Sequence, residues 1–288
     1  MENVKDSQIL NSCRAGKLLK YRQINSVRLK CTLNLNLLFP TCRQLDEFDR
    51  KWNKFKKSHP QRDRVIFQRK GKHLIYFSEQ LIPAKKDSRR RKPLLLLLGN
   101  PASHSVKAGM FFASEGKERK EQGHRFWKQI LRPALIPRLP LNEDNDKRRT
   151  RLLSADYESD YRIGLAVFLS FPSPASGKWS GVAGVRKLFG KEALDKIITV
   201  ETERISKCAK EFLSPHGAVV CFNKLAWDEL RSPGDKPYSL ERAKRYKLSG
   251  NLKGGKSFPL FCVPPTRLAG QAGKVLSCFA KSYFVPRS

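Results

Sequence analysis

The 288 residues are 40% hydrophobic, enough for one large domain, or one domain with a substantial extension, around a true core. No apolar run approaches the length of a membrane span, and none of the seven cysteines forms a Cys-x-x-Cys pair, which argues against a zinc ribbon. Basic residues outnumber acidic ones 58 to 26, and the net charge of +32 makes a polyanion, nucleic acid first, the expected partner. A solubilising coat, or a basic ribosomal-type protein without enzymatic activity, accounts for the charge equally well.

Residues 1–42 mix basic residues with Leu and Asn and show no sustained period; the apolar patch at 33–39 stops at Pro40. They read as a basic, poorly ordered arm able to touch DNA. Residues 43–89 read as a helix and β-hairpin extension packed on the core. Leu45, Phe48, Trp52 and Phe55 recur at helical spacing. The runs at 64–68 and 73–77 flank Arg69-Lys70-Gly71-Lys72 and predict a hairpin, whose basic tip either touches phosphate or is an exposed turn. The charge run at 85–92, KKDSRRRK, is a linker or a phosphate-binding patch. The core domain is placed at 90–288.

Five leucines at 94–98 end at Gly99-Asn100-Pro101. That suits a strand buried on both faces with a turn at its carboxyl end, where open α/β sheets place ligand sites. His124-Arg125-Phe126-Trp127 opens a helix that Pro133 stops, with Phe126, Trp127, Ile130 and Leu131 on one face. Residues 142–151 read as a polar loop. A second strand is expected at 166–171, followed by the loop PSPASGKWSGVAG, whose Lys178 and Trp179 are placed to touch DNA. Residues 185–198 can form a helix, and a stronger one follows, with Ile205, Cys208, Ala209, Phe212 and Leu213 on one face. A third strand at 218–222 leads to Asn223 and a short helix containing Trp227. A fourth at 259–263 leads into Pro264-Pro265-Thr266-Arg267, and a last helix closes the chain at 268–284. This alternation predicts an α/β fold with a parallel sheet and helices on both faces.

Cys208, Cys221, Cys262 and Cys278 lie in apolar runs and read as small core residues. The odd cysteine count, with no secretory leader expected, fits a reducing intracellular compartment: cytoplasm, nucleoid or nucleus.

Residues 94–131 resemble the uracil-DNA glycosylase superfamily, most closely its branch of mismatch-specific uracil and thymine glycosylases. That branch carries a strand, Gly-x-Asn-Pro-Gly, a glycine and a phenylalanine, then an Asn-x-Phe-Trp helix start. Gly99, Asn100, Pro101, Gly109, Phe112, Phe126 and Trp127 match it, with no gap from Asn100 to Phe112. The residue between Gly and Asn is missing, Ala102 replaces the second Gly, His124 replaces the helix-opening Asn, and an insertion lies at roughly 115–121. The resemblance extends over roughly 90–284 through the order of strands and helices. It implies a three-layer α/β/α fold around a central four-stranded parallel sheet. It also implies a monomeric, monofunctional DNA glycosylase that removes uracil or another mispaired pyrimidine without metal or cofactor.

A base-excising enzyme must flip its nucleotide into a pocket, stabilise an oxocarbenium-like sugar and supply water. The resemblance implies that Asn100 positions the water, with its side-chain carbonyl as acceptor and its amide as donor; a turn residue capping the strand end is the plainer role. It likewise makes Phe112 the base-stacking residue, against an ordinary core aromatic, with Gly99 and Pro101 shaping the base pocket. Asn223 can reach a base edge or cap a helix. Ser103, Ser105, His124 and Lys178 are candidate DNA contacts, although loop polarity also explains them, and His104 is not assigned as a base. The superfamily usually follows its fourth strand with His-Pro-Ser, Asn-Pro-Ser or Met-Pro-Ser-Ser-Ser; here Val263-Pro264-Pro265-Thr266 has no His or Asn before the proline. Thr266, Arg267 and Leu268 are the residues left to form the loop that wedges into the emptied stack. Two other readings stay open: a non-catalytic nucleic-acid-binding protein that keeps the fold, and a basic RNA- or ribosome-associated protein.

Overall fold

The structure of the protein is a computed structural model. It describes residues 17–84, 89–113, 124–134, 136–137, 139–140, 143–254 and 258–284. Nine strands, both parallel and antiparallel, together with the helices make the described chain α/β. It divides into two compact units that interleave in sequence: Met1–Gln80 with Asn100–Phe111 and Leu169–Arg204, and Leu81–Gly99 with Phe112–Phe168 and Ile205–Ser288. The expected division at residues 43 and 90 therefore does not coincide with the compact units.

In the first unit four strands pair antiparallel. β1 (Leu19–Gln23) pairs β2 (Arg28–Asn34), and β4 (His73–Leu81) pairs both β2 and β3 (Phe67–Lys70). Residues 19–38 thus correct the expectation of a disordered arm; residues 1–16 lie outside those described. The cause is a period of two: Leu29, Cys31 and Leu33 point inward while Arg28, Lys30, Thr32 and Asn34 are half-exposed. The expected hairpin is present, with Lys70 opposite His73 across Gly71-Lys72 and Gly71 at φ 52. Residues 61–66, however, form a 3-10 turn, so the first run enters its strand only at Phe67.

The helix Cys42–Lys57 starts with a capping box between Thr41 and Gln44. It buries Phe48, Trp52 and Phe55 at i, i+4 and i+7. These rings pack on residues far along the chain: Phe48 stacks on Phe189 at 5.6 Å, and Phe55 meets Phe171 at 5.7 Å. That shared aromatic core explains why 169–204 belongs with the amino-terminal segment and not with the remainder of the expected core domain.

In the second unit the order is β6-β5-β7-β9-β8. β5 (Lys92–Leu98) lies between β6 (Tyr161–Val167) and β7 (Ala218–Cys221), and β7 pairs β9 (Pro259–Cys262), all parallel. β8 (Ser249–Asn251) then pairs β9 antiparallel, so the five strands of this unit are mixed, and the whole sheet is a mixed one of nine strands, not the purely parallel four-stranded sheet expected. The leucine run is flanked by a strand on each side, with Leu94 opposite both Ile163 and Ala218, which is why it carries no polar alternation. A side chain at Gly217, just before β7, would meet the Pro93 carbonyl oxygen at 2.7 Å, so the approach to β5 requires glycine.

Several local expectations change. Residues 126–131 form a π-helical turn. The polar segment around 142–151 contains a helix, Asn145–Ser154, capped by Asp144, whose Oδ1 accepts from the Lys147 amide at 2.7 Å. The helix preceding β7 runs unbroken over Lys191–Leu213. Cys221 and Cys262 are buried as expected, but Cys208 is half-buried and Cys278 exposed, while Cys31 is a core residue. In the basic run, Arg89 donates to the Tyr157 carbonyl and Arg91 to those of Tyr157 and Ala155, so these two cations tie the chain to itself; residues 85–88 lie outside those described. No described helix is long and apolar enough to cross a membrane.

Candidate functional site

The first unit holds the best-defined polar site. Asn100 follows the end of β5 and is half-buried. Its Nδ2 donates to Ser173 Oγ at 2.9 Å, to the Phe171 carbonyl at 3.3 Å and to the Pro101 carbonyl at 3.4 Å. Two of these three partners are carbonyl oxygens, which can only accept, so the amide must face them and Oδ1 must face away. Among the described residues no protein donor reaches Oδ1. The same two segments are laced by backbone: Ser173 N donates to Pro101 O at 3.0 Å, and Ser103 N to Ser173 O at 2.9 Å.

Ser173 is the residue that sequence reasoning missed. Its Oγ accepts from Asn100 and from the Gly181 amide at 2.8 Å, and it donates to the Pro174 carbonyl at 3.3 Å. Both lone pairs and the hydroxyl hydrogen are thus used, and the hydroxyl is fixed. One serine in the run PSPASG carries no mark that separates it from its neighbours; its role appears only when 171–173 is laid beside 100–103.

Beneath this loop lies a buried polar network. Ser170 donates its amide to Glu201 Oε1 at 2.7 Å and its hydroxyl to the same oxygen. Tyr76 Oη bonds Ser170 Oγ at 2.9 Å. Arg204 Nε meets Glu201 Oε2 at 2.7 Å and its Nη1 donates to Gln80 Oε1 at 3.0 Å. Glu201 is 0% and Arg204 5% exposed, so the pair survives only because the carboxylate is saturated with donors. Burial raises the Tyr21 and Tyr76 hydroxyls well above their usual range and pushes the Cys31 thiol up to about 12. None of the three is available as a nucleophile at neutral pH. The network holds residue 170, and through it the carbonyl of Phe171 and the hydroxyl of Ser173, in place for Asn100.

The other candidates of this unit fall differently. Ser103 and Ser105 are 1% and 3% exposed, and Ser103 Oγ donates to the buried Asp63 at 3.3 Å, so neither hydroxyl is at the surface. Pro101 is buried and Lys178 is exposed.

The second unit contains Gly99, Phe112, His124, Asn223, Thr266, Arg267 and Leu268. Phe112 is half-buried and has φ 50, a left-handed conformation that a bulky side chain adopts only under constraint. Its ring stacks on Phe126 at 4.1 Å and on His124 at 4.8 Å. His124 Nδ1 accepts from the Phe126 amide at 3.1 Å, which orients the imidazole at the start of the π-helical turn. Asn223 is the N-cap of the helix Lys224–Leu230, its Oδ1 accepting from the Leu225 amide at 2.8 Å. Thr266–Leu268 is a 3-10 turn with Arg267 exposed and Thr266 and Leu268 half-buried; Val263 and Pro264 before it are buried. Gly99 is half-buried.

Among the described residues no group of three or more His, Cys, Asp or Glu is arranged to hold a metal ion. In comparisons with known proteins, no family model and no curated protein matches the chain.

Proposed function

We propose that the chain is a nucleic-acid-acting protein, and more narrowly a monofunctional DNA glycosylase that flips uracil or another mispaired pyrimidine out of DNA and hydrolyses its N-glycosidic bond. The fold proposed with it is the three-layer α/β/α arrangement of the uracil-DNA glycosylases. The observation that carries the reading is Asn100: its amide is anchored three ways on 101–173 while Oδ1 faces no protein donor among the described residues. A fixed, unsatisfied carbonyl oxygen can accept a hydrogen bond from a water and hold that water's lone pair toward the anomeric carbon of a flipped nucleotide. In the reaction the glycosidic electron pair leaves with the base, the water oxygen bonds to the sugar carbon, and one water proton is released. Phe112 is assigned the stacking role and Arg267 and Leu268 the wedge, with DNA as partner.

A second reading is a non-catalytic nucleic-acid-binding protein with the same fold. It is favoured by the fourth-strand end, where buried Val263 stands before Pro264, and by Asn223, whose Oδ1 is already engaged in capping. Val263 offers no donor to a departing base anion, and capping orients Asn223 so that only its Nδ2 is left to donate. Oligonucleotides bearing U·A, U·G or T·G pairs, or uracil in a single strand, distinguish the two: excision leaves alkali-labile sites. With Asn100→Ala, single-turnover excision should slow by about a hundredfold or more, and duplex affinity should stay within about twofold, because phosphate contacts supply most of it. An unchanged rate in Asn100→Ala would reduce Asn100 to a turn residue. Binding without excision on all four substrates would establish the second reading.

A further inference from the structure

The carboxyl end of the helix Cys42–Lys57 and the loop at 174–179 face each other across an open cleft of about 440 Å³. Lys54, Lys57 and Ser58 line it from the helix side; Ser176, Lys178 and Trp179 line it from the loop. Lys54 and Lys57 are three residues apart and therefore neighbours on one helix face. All three lysines are exposed, and none has a carboxylate within ion-pair distance among the described residues. One turn earlier on the same helix, Lys51 is paired with Glu47 at 2.6 Å, so the helix has acidic residues and does not spend them here.

The floor of the cleft is held rigid. Trp179 is 5% exposed, packs edge-on against Phe55 at 5.8 Å, and carries the Lys187 ammonium 5.0 Å above its ring. Three exposed ammonium groups thus border the cleft, and an anion relieves their mutual repulsion. A run of spaced negative charges fits three separated ammonium groups better than a single ion does.

We infer that this cleft is a seat for the phosphate backbone of nucleic acid. The inference rests on the nucleic-acid reading above and adds to it a surface built partly by the amino-terminal helix, which the glycosylase resemblance does not cover. The loop that lines the cleft is continuous with Ser173, which accepts from Asn100. A strand seated at Lys178 therefore braces the segment that fixes the Asn100 amide.

The test compares full-length wild type with the triple variant Lys54→Gln, Lys57→Gln, Lys178→Gln on a short undamaged duplex, by anisotropy across a salt series. A control replaces Lys17, Lys20 and Lys72, which do not line the cleft, with glutamine. Each lysine seated on a phosphate contributes about 0.9 to the slope of log K against log salt. The slope of the cleft variant should therefore be shallower than that of wild type by about two to three, and that of the control by clearly less. Melting temperature checks that both variants fold, and Lys178→Glu alone, on the loop, should reproduce part of the change. Equal changes in the cleft and control variants, or none in the cleft variant, overturn the inference while leaving nucleic-acid binding intact. A wild type with no salt-dependent affinity overturns the nucleic-acid reading as well.

Discussion

Asn100 and Ser173 show how unevenly single residues announce themselves. Asn100 stands between a glycine and a proline at the end of five leucines, so its position at a strand end is visible in the sequence. The serine that holds it is seventy-three residues away and joins it only through tertiary structure. Glu79 is equally hidden. It sits in β4 among residues that read as hairpin strand, is 4% exposed, and its Oε2 has no hydrogen-bond partner. Arg28 lies opposite it in register but directs Nη2 to the carbonyls of Val106 and Lys107. Burial alone holds the Glu79 carboxyl well above its usual value of 4.5. The folded protein therefore keeps a proton that the unfolded chain releases above that value. The associated stability is present below the unfolded pKa and lost as pH rises through the folded one. Glu79→Gln should melt higher than wild type at about pH 7, and the difference should shrink toward zero at about pH 4. A difference that does not vary with pH would show that the carboxyl is ionised in the folded protein.

At the level of elements, β5, β7 and β9 were legible because they are short apolar runs bounded by turn residues, whereas β6 runs over Tyr161–Val167 and not 166–171, and β8, with the polar sequence SGN, carries no such signal. The first two strands escaped for a different reason. Their sequences, LKYRQ and RLKCTLN, are half basic or polar, and a search for sustained helical period finds nothing in them. The alternation of β2 is nevertheless regular, and Leu19, Leu29, Cys31, Leu33 and Leu35 are each at most 1% exposed. Deleting residues 1–42 should therefore cost folding, not only DNA affinity. Each fully buried aliphatic side chain contributes about 1.5–3 kcal/mol, and several removed together are comparable with the roughly 5–15 kcal/mol by which a native protein is stable. The truncated chain should lose its near-ultraviolet dichroism and cooperative melt. A melt within about 2 °C of the full chain, a shift that corresponds to about 1 kcal/mol for a chain of this size, would make β1 and β2 an appendage.

Across the whole molecule basic residues outnumber acidic ones 58 to 26, and some of those acids are already paired. Glu47, Glu143, Asp146, Glu201 and Glu241 each hold a lysine or arginine within 3 Å. What remains is a net charge of +32 over 288 residues, far beyond what solubility requires of a protein this size. If that excess serves nucleic acid, affinity for any duplex should fall by about a thousandfold or more between about 50 and 200 mM salt, with a linear dependence of log K on log salt. The excision step should respond differently. Once protein is saturating, the chemistry at Asn100 releases no counterions, so the single-turnover rate should be flat over the same salt range. Parallel salt series for anisotropy and single-turnover excision measure the two quantities. Salt-independent affinity would remove nucleic acid as the partner. A single-turnover rate that falls with salt at saturation would show instead that phosphate contacts act on the transition state, and that positioning of the nucleotide is not complete in the bound complex.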